Sequence, residues 1–208
     1  MATMLAVLTT DADLEPSAMT TMLTAAVAAS FNTITVDGAT STNDTVILLA
    51  SGRRGVADLG AVADAVGRAC ADLAVQMVDD AEGATKSIRV EVVGARSDHE
   101  AAAAARKVAS SQLVKCSFYG QDPYWGRVIS ELGSAGVAFE LDRTGVAYGG
   151  VVVCRNGEPA AHDHAAVADH LSGRNVTLRA DLGLGQGRAV ITTADLTPGY
   201  IDENMRTS

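Results

Sequence analysis

The chain has 208 residues, 48% of them hydrophobic and 4% aromatic, and a formal net charge of −9. That length supports one substantial core, or two small subdomains, built from Ala, Val, Leu and Ile rather than from aromatic rings. The acidic balance and the absence of any Lys/Arg cluster exclude partners that are bound through phosphate, namely nucleic acid and anionic membrane surfaces, and no apolar run of about 18 residues is present to span a bilayer.

Met4 to Leu8 is an apolar run of strand length, and Thr9-Thr10-Asp11 reads as its stop and as the cap of a helix. Thr3 is a hydroxyl residue at the mouth of that strand, with the small residue Ala2 before it. If the Ala2–Thr3 bond were cut, Thr3 would carry both an Oγ nucleophile and a free α-amine. With a reference pKa of roughly 8 that amine is a usable base near neutral pH. Such a pair is one of the few ways to activate a threonine without a histidine. Taken alone, Thr3 is better explained as an ordinary strand residue, because a single position is a weak motif.

Asp13 to Ser17 opens a helix with Pro16 in its first turn, where the missing N–H is not needed. Met19, Met22, Leu23, Ala26 and Val27 continue it at helical spacing. Asn32 to Val36 is β-branched and ends at the turn pair Asp37-Gly38. Ser41-Thr42-Asn43-Asp44-Thr45 then leads into a buried strand that runs to Ala50. Two readings fit these five polar residues: a site that holds something polar, or a side-chain-rich turn capping the strand. Ser51 to Gly55 is a loop whose Arg53-Arg54 pair belongs to solvent. Val56 to Val78 is a long helix with Val62, Val66, Cys70, Leu73 and Met77 on one face. Asp79, Asp80 and Glu82 crowd its C-terminus, where carboxylates oppose the macrodipole. A local cost with no local gain points to function, and such a carboxylate suits an ammonium group.

Ser87 to Val93 alternates as a strand. Asp98 caps a helix over Glu100 to Ala109, and Leu113 to Tyr119 has strand character. Asp122 with Pro123 caps a helix at Val128 to Leu132; Trp125 serves packing, and Arg127 pairs with Asp122. Val137 to Leu141, Val146 to Cys154 and Asn175 to Leu182 are strands, Asn156-Gly157 is a hairpin-type turn, and His162 to Leu171 is the last helix. The Gly-rich segment 183–187 lacks the phosphate-loop pattern and suits a hairpin tip before a strand at Ala189 to Thr193. The polar tail from Leu196 carries Tyr200 and Ile201 as anchors, which suits docking. Cys70, Cys116 and Cys154 are odd in number and lie in apolar sequence, as reduced core thiols of a cytosolic protein do. The four histidines lack metal-ligand spacing with them, and no secretory signal pattern is present.

Five segments, in order and across essentially the whole chain, resemble the C-terminal β chain of the ornithine acetyltransferase family, the bifunctional glutamate N-acetyltransferases of arginine biosynthesis. They are Met1 to Ala6, Ser41 to Thr45, Asp80 to Lys86, Asp122 to Arg127, and Asp195-Leu196-Thr197 through Asn204. The resemblance implies an α/β fold of the layered α-β-β-α sandwich type shared with DmpA-like proteins. Residues 1–208 would form one intimately packed β chain, with a smaller C-terminal lobe about 137–208. It implies a cytoplasmic precursor that cuts itself at Ala2–Thr3 and leaves Thr3 as the nucleophile. Acetyl would then pass from N2-acetylornithine to Thr3 and on to glutamate in ping-pong order, with no cofactor and no metal; some members also take acetyl-CoA as donor. Glu82, Asn204 and Ser208, together with Thr3, match the family's substrate-binding positions. Tyr124 stands where the family usually has Asn, and the family usually has one more residue between the matching Asn and the chain end. The partner implied is the protein's own α chain, in a heterotetramer of two α and two β chains. That chain carries a Thr-Gly oxyanion hole and a Lys, and losing one such donor costs about 2.7–4 kcal/mol, so the β chain alone is expected to be inactive. Two alternatives stand beside this: an N-terminal-nucleophile amidohydrolase or aminopeptidase, and a non-catalytic subunit lacking its α chain.

Overall fold

The computed structural model describes residues 4–205. The chain divides into two compact units, one of Met1–Ile34 with Ala39–Met77 and one of Thr35–Gly38 with Val78–Ser208.

In the first unit, strand β1 (Leu5–Thr10) pairs in parallel with β3 (Thr45–Ala50), so that Leu5 faces Thr45 and Thr10 faces Ala50. Alternation buries Ala6, Leu8 and Leu48 on one face. Against them pack helices α1 (Pro16–Ala29) and α2 (Leu59–Asp79), through Met22, Ala26, Val66, Cys70 and Ala74. The other face carries Leu5, Val7, Ile47 and Leu49, all exposed. Thr9 and Thr10 continue the strand, and the cap of α1 is Glu15 with Pro16 following, as the proline predicts. Phe31–Thr33 is a 3-10 turn, which shortens the expected strand to β2 (Ile34–Thr35). Helix α2 begins three residues later than expected, because Val56 forms a bridge with Asp13. Its inner face runs through Ala74 rather than Leu73, which is exposed.

The second unit is built on a seven-stranded sheet in the order β2-β9-β4-β8-β5-β6-β7. Besides β2, its strands are β4 (Ser87–Ala95), β5 (Gly145–Tyr148), β6 (Val151–Arg155), β7 (Glu158–Pro159), β8 (Asn175–Asp181) and β9 (Gly187–Ala194). The segment read as one strand from Val146 to Cys154 is therefore a hairpin turning at Gly149-Gly150. Asn156 and Gly157, both at positive φ, make the two-residue turn into β7, as expected. Central β4 runs parallel to β8 and antiparallel to β9. Since β8 and β9 do not pair with each other, segment 183–187 is not a hairpin tip but a crossing over the end of β4. Glycine is required there: a Cβ on Gly187 would lie 2.2 Å from the Ser97 carbonyl carbon and one on Gly185 2.5 Å from the Ala95 oxygen.

Ile88, Val90 and Val92 of β4 are fully buried against α3 (Asp98–Ala109), whose inner face of Ala101, Ala104, Ala105 and Val108 lets the helix lie close. Ser97, not Asp98, caps α3 by accepting from the Glu100 amide, while Asp98 Oδ1 accepts from the Arg188 amide. Leu113 to Tyr119, read as a strand, is helix α4 (Gln112–Tyr119) with Val114 and Phe118 buried one turn apart. Asp122 does not cap the next helix, α5 (Gly126–Gly133). Its carboxylate accepts from the Tyr124 amide and pairs with Arg127 at 3.2 Å. Trp125 packs on the core, as expected. The segment 137–140 has no strand; a 3-10 turn, Leu141–Arg143, follows it. Helix α6 (His164–Ser172) is not the last helix, because the tail forms α7 (Pro198–Asn204). Cys70 and Cys154 are buried, whereas Cys116 lies at the surface and is no core thiol.

Candidate functional site

Ala2, Thr3 and Ser208 lie outside the described residues. The residue after Thr3 is held on both sides of its peptide: the Met4 amide donates to Asp44 Oδ1 at 2.9 Å, and the Thr45 amide donates to the Met4 carbonyl at 2.8 Å. Ser41 and Asn43 bond within their own turn, the Ser41 hydroxyl donating to Asn43 Oδ1 at 2.8 Å. The polar segment is thus a turn that caps β3 and clamps the start of β1. A cavity of about 430 Å³ opens beside Met4, walled by Leu23, Val27, Phe31 and Asp44.

The second unit brings Glu82 and Asn204 together across 122 residues: Asn204 Nδ2 donates to Glu82 Oε2 at 3.2 Å. Both side chains are exposed, so the carboxylate is open to a ligand. The tail is docked, but by hydrogen bonds rather than by apolar anchors: Tyr200 takes part through its hydroxyl, and Ile201 is 53% exposed. Thr197 caps α7 by accepting from the Tyr200 amide at 3.0 Å, and its hydroxyl donates to the Gly83 carbonyl at 2.6 Å. Beneath lies Asp195, 2% exposed. It accepts from the Thr85 amide at 2.9 Å, the Thr85 hydroxyl at 2.5 Å and the Lys86 amide at 2.9 Å. Three donors satisfy a carboxylate that would otherwise be costly to bury. The Lys86 ammonium donates to the Leu171 and Gly173 carbonyls at the end of α6, where a cation suits the helix dipole. Arg174 likewise donates to the Asp79 carbonyl, which brings a cation to the end of α2.

Sequence reasoning gives Lys115 no role, and reaches Asp37 only as a turn residue and Asp195 only as the start of a matching segment. Lys115 is buried in α4 and donates to the Val36 carbonyl. Burial pushes its ammonium below the usual lysine range, while Asp37 and Asp195 pull it back up. Asp37 accepts from the Tyr200 hydroxyl at 3.1 Å. Burial, then the Asp37 charge and hydrogen bond, then Glu82, hold that phenol above its ordinary value. The one available signal for Lys115 was a lysine inside the apolar run Leu113 to Phe118. Among the described residues no group of His, Cys, Asp or Glu is placed to hold a metal, and no helix is long and apolar enough to cross a membrane.

Residues 1–207 match the model of the ArgJ family. The arginine biosynthesis bifunctional protein ArgJ of Mycolicibacterium paratuberculosis is 47% identical over 207 residues, covering 98% of this chain and 50% of that protein. Its counterpart in Streptomyces coelicolor is 47% identical over 205 residues, covering 98% of this chain and 53% of the relative. The chain thus spans about half the length of the curated relatives it matches. The crystal structure of the arginine biosynthesis bifunctional protein argJ from Bacillus halodurans superposes with a TM-score of 0.91 at 36% identity, covering 97% of this chain and 99% of that one. Its fold is the α/β fold expected here.

Proposed function

The chain belongs to the ArgJ family, and from that premise we propose that it is the β chain of an acetyltransferase of arginine biosynthesis. Thr3 Oγ attacks the Ala2 carbonyl carbon, the C–N bond breaks, and the Thr3 amine leaves as the base while Ala2 is held as an ester. Water releases the upstream piece. In turnover that amine takes the Oγ proton as Oγ attacks the acetyl carbonyl of N2-acetylornithine, and returns it to the departing ornithine amine. Glutamate then attacks the acetyl-Thr3 ester through its own amine, which restores Thr3. The side-chain ammonium of N2-acetylornithine, which takes no part in the acetyl transfer, is held at Glu82, with Asn204 and Ser208 completing the contacts. No cofactor takes part, and acetyl-CoA is a second donor to be assayed beside N2-acetylornithine.

The observation that carries this reading is the match along residues 1–207 to proteins named for arginine biosynthesis. Three features support it. The Bacillus chain is matched over 99% of its length while the curated relatives are twice as long, as a divided precursor requires. The strand that follows Thr3 is clamped at Met4. An exposed carboxylate, Glu82, is oriented by an amide. The outer face of β1 and β3, with Leu5, Val7, Ile47 and Leu49 exposed, fits an α chain docking there, in a heterotetramer of two α and two β chains.

The test joins this chain to the N-terminal half of an ArgJ precursor and measures acetyl transfer from N2-acetylornithine to glutamate. Transfer is expected with an intact mass lacking residues 1–2, none is expected from this chain alone, and Thr3→Ala should abolish both cleavage and transfer. Acetate release without N-acetylglutamate would instead make the protein a hydrolase. Full activity in Thr3→Ala would end the nucleophile assignment.

A further inference from the structure

Three stretches distant in sequence, 35–38, 82–86 and 195–204, meet in the second unit. Tyr200 links them. Its hydroxyl donates to Asp37 Oδ1 at 3.1 Å, its amide donates to Thr197 Oγ1 at 3.0 Å, and its carbonyl accepts from Asn204 Nδ2 at 2.9 Å. The same Nδ2 donates to Glu82 Oε2. Asp37 is itself fixed, because the neighbouring Val36 carbonyl accepts from the buried Lys115 ammonium. Helix α7 has seven residues, too few to hold its shape in isolation. Its placement, and with it the direction of the Asn204 amide, therefore depends on these docking bonds.

We propose that Tyr200 and Asp37 are positioning residues for Glu82. Their hydrogen bond fixes α7, α7 fixes the Asn204 amide, and the amide holds Glu82 Oε2 so that Oε1 faces the side-chain ammonium of N2-acetylornithine. This rests on the assignment of Glu82 under Proposed function. The two residues act through Asn204 and touch no substrate. Burial first, then the charge and hydrogen bond of Asp37 and the charge of Glu82, raises the Tyr200 phenol above its ordinary value, in keeping with its role as the donor.

The experiment uses this chain paired with the N-terminal half of an ArgJ precursor and reads KM and kcat for N2-acetylornithine at saturating glutamate. Tyr200→Phe removes one hydroxyl and keeps the ring; it should raise KM roughly three- to tenfold and leave kcat within about twofold. Asp37→Ala, which approaches the same bond from the other side, should match it. The double variant Tyr200→Phe/Asn204→Ala should be no worse than Asn204→Ala alone, since one acts through the other. A purely structural role would instead make the losses additive. Hydrogen exchange provides a readout independent of turnover, with α7 amides expected to exchange faster in Tyr200→Phe. Unchanged KM in both single variants, additive losses in the double, or unchanged exchange would overturn the proposal. Glu82→Gln separates the two levels. If it leaves KM unchanged, the assignment of Glu82 falls; if it raises KM while Tyr200→Phe does not, only the positioning role falls.

Discussion

At Gly83 a hydrogen stands where a methyl group would lie 2.2 Å from the Tyr200 nitrogen and 2.3 Å from the Gly199 carbonyl carbon, on a backbone at φ +64°. Glycine is required twice over, for the left-handed conformation and for the approach of two main chains. The clash in Gly83→Ala falls on α7, a short element, and the least costly relief is for α7 to leave. Global stability is therefore expected to fall by only about 1–2 kcal/mol. The amides of 200–205 should lose hydrogen-exchange protection and the KM for N2-acetylornithine should rise. Exchange identical to the unaltered chain would show that the loop absorbs the methyl group without moving α7. The neighbouring Glu82 could be singled out from sequence by its misfit at a helix C-terminus and by resemblance. Lys115 carries only the weak signal of a lysine within an apolar run, and Asp37 reads as an ordinary turn residue, until partners some 80 to 160 positions away are brought to them.

At the scale of the element, α4 shows where short apolar runs mislead. Leu113 to Tyr119 has strand length and apolar character, yet the buried pair Val114 and Phe118 lies at helical spacing and Ser111 supplies the cap. Ser111 accepts from the Val114 amide at 3.3 Å and donates to Glu131 Oε1 at 2.8 Å, while Glu131 also pairs with Lys107 at 3.3 Å. One hydroxyl therefore ties α4 to α5 and indirectly to α3. Ser111→Ala is expected to lower stability by about 1–2 kcal/mol in urea denaturation, more than an isolated surface cap would; a change below about 0.3 kcal/mol would show the tie to be slack. Elements with strong punctuation were legible: the Pro16 start of α1, the Asn156-Gly157 turn, and the alternating β4. Gly149-Gly150 carries the same kind of signal, masked by the apolar residues on both sides of it. The crossing at 183–187 is illegible for a different reason. Glycines announce a turn but not which strands it joins, and that was decided by β4, about a hundred residues earlier.

At the scale of the molecule, the β1–β3 pair of the first unit is a parallel sheet with one covered face. Parallel sheets are ordinarily covered on both. Val7 is 57% exposed in the centre of the bare face. Val7→Lys is expected to shift the stability of this chain alone by no more than about 0.5 kcal/mol, and to abolish co-purification with the N-terminal half of an ArgJ precursor. Retained co-purification would move the proposed α-chain contact elsewhere. In the second unit, the strand with the deepest side chains is flanked by the two strands made last, β8 and β9. On the ribosome, Ile88, Val90 and Val92 emerge with neither neighbour yet synthesised. At roughly 5–20 residues per second, the interval between Ala95 and Ala194 lasts on the order of 5–20 s. During that interval a sticky nascent segment needs shelter, and any premature stop before β9 leaves it without an antiparallel neighbour for good.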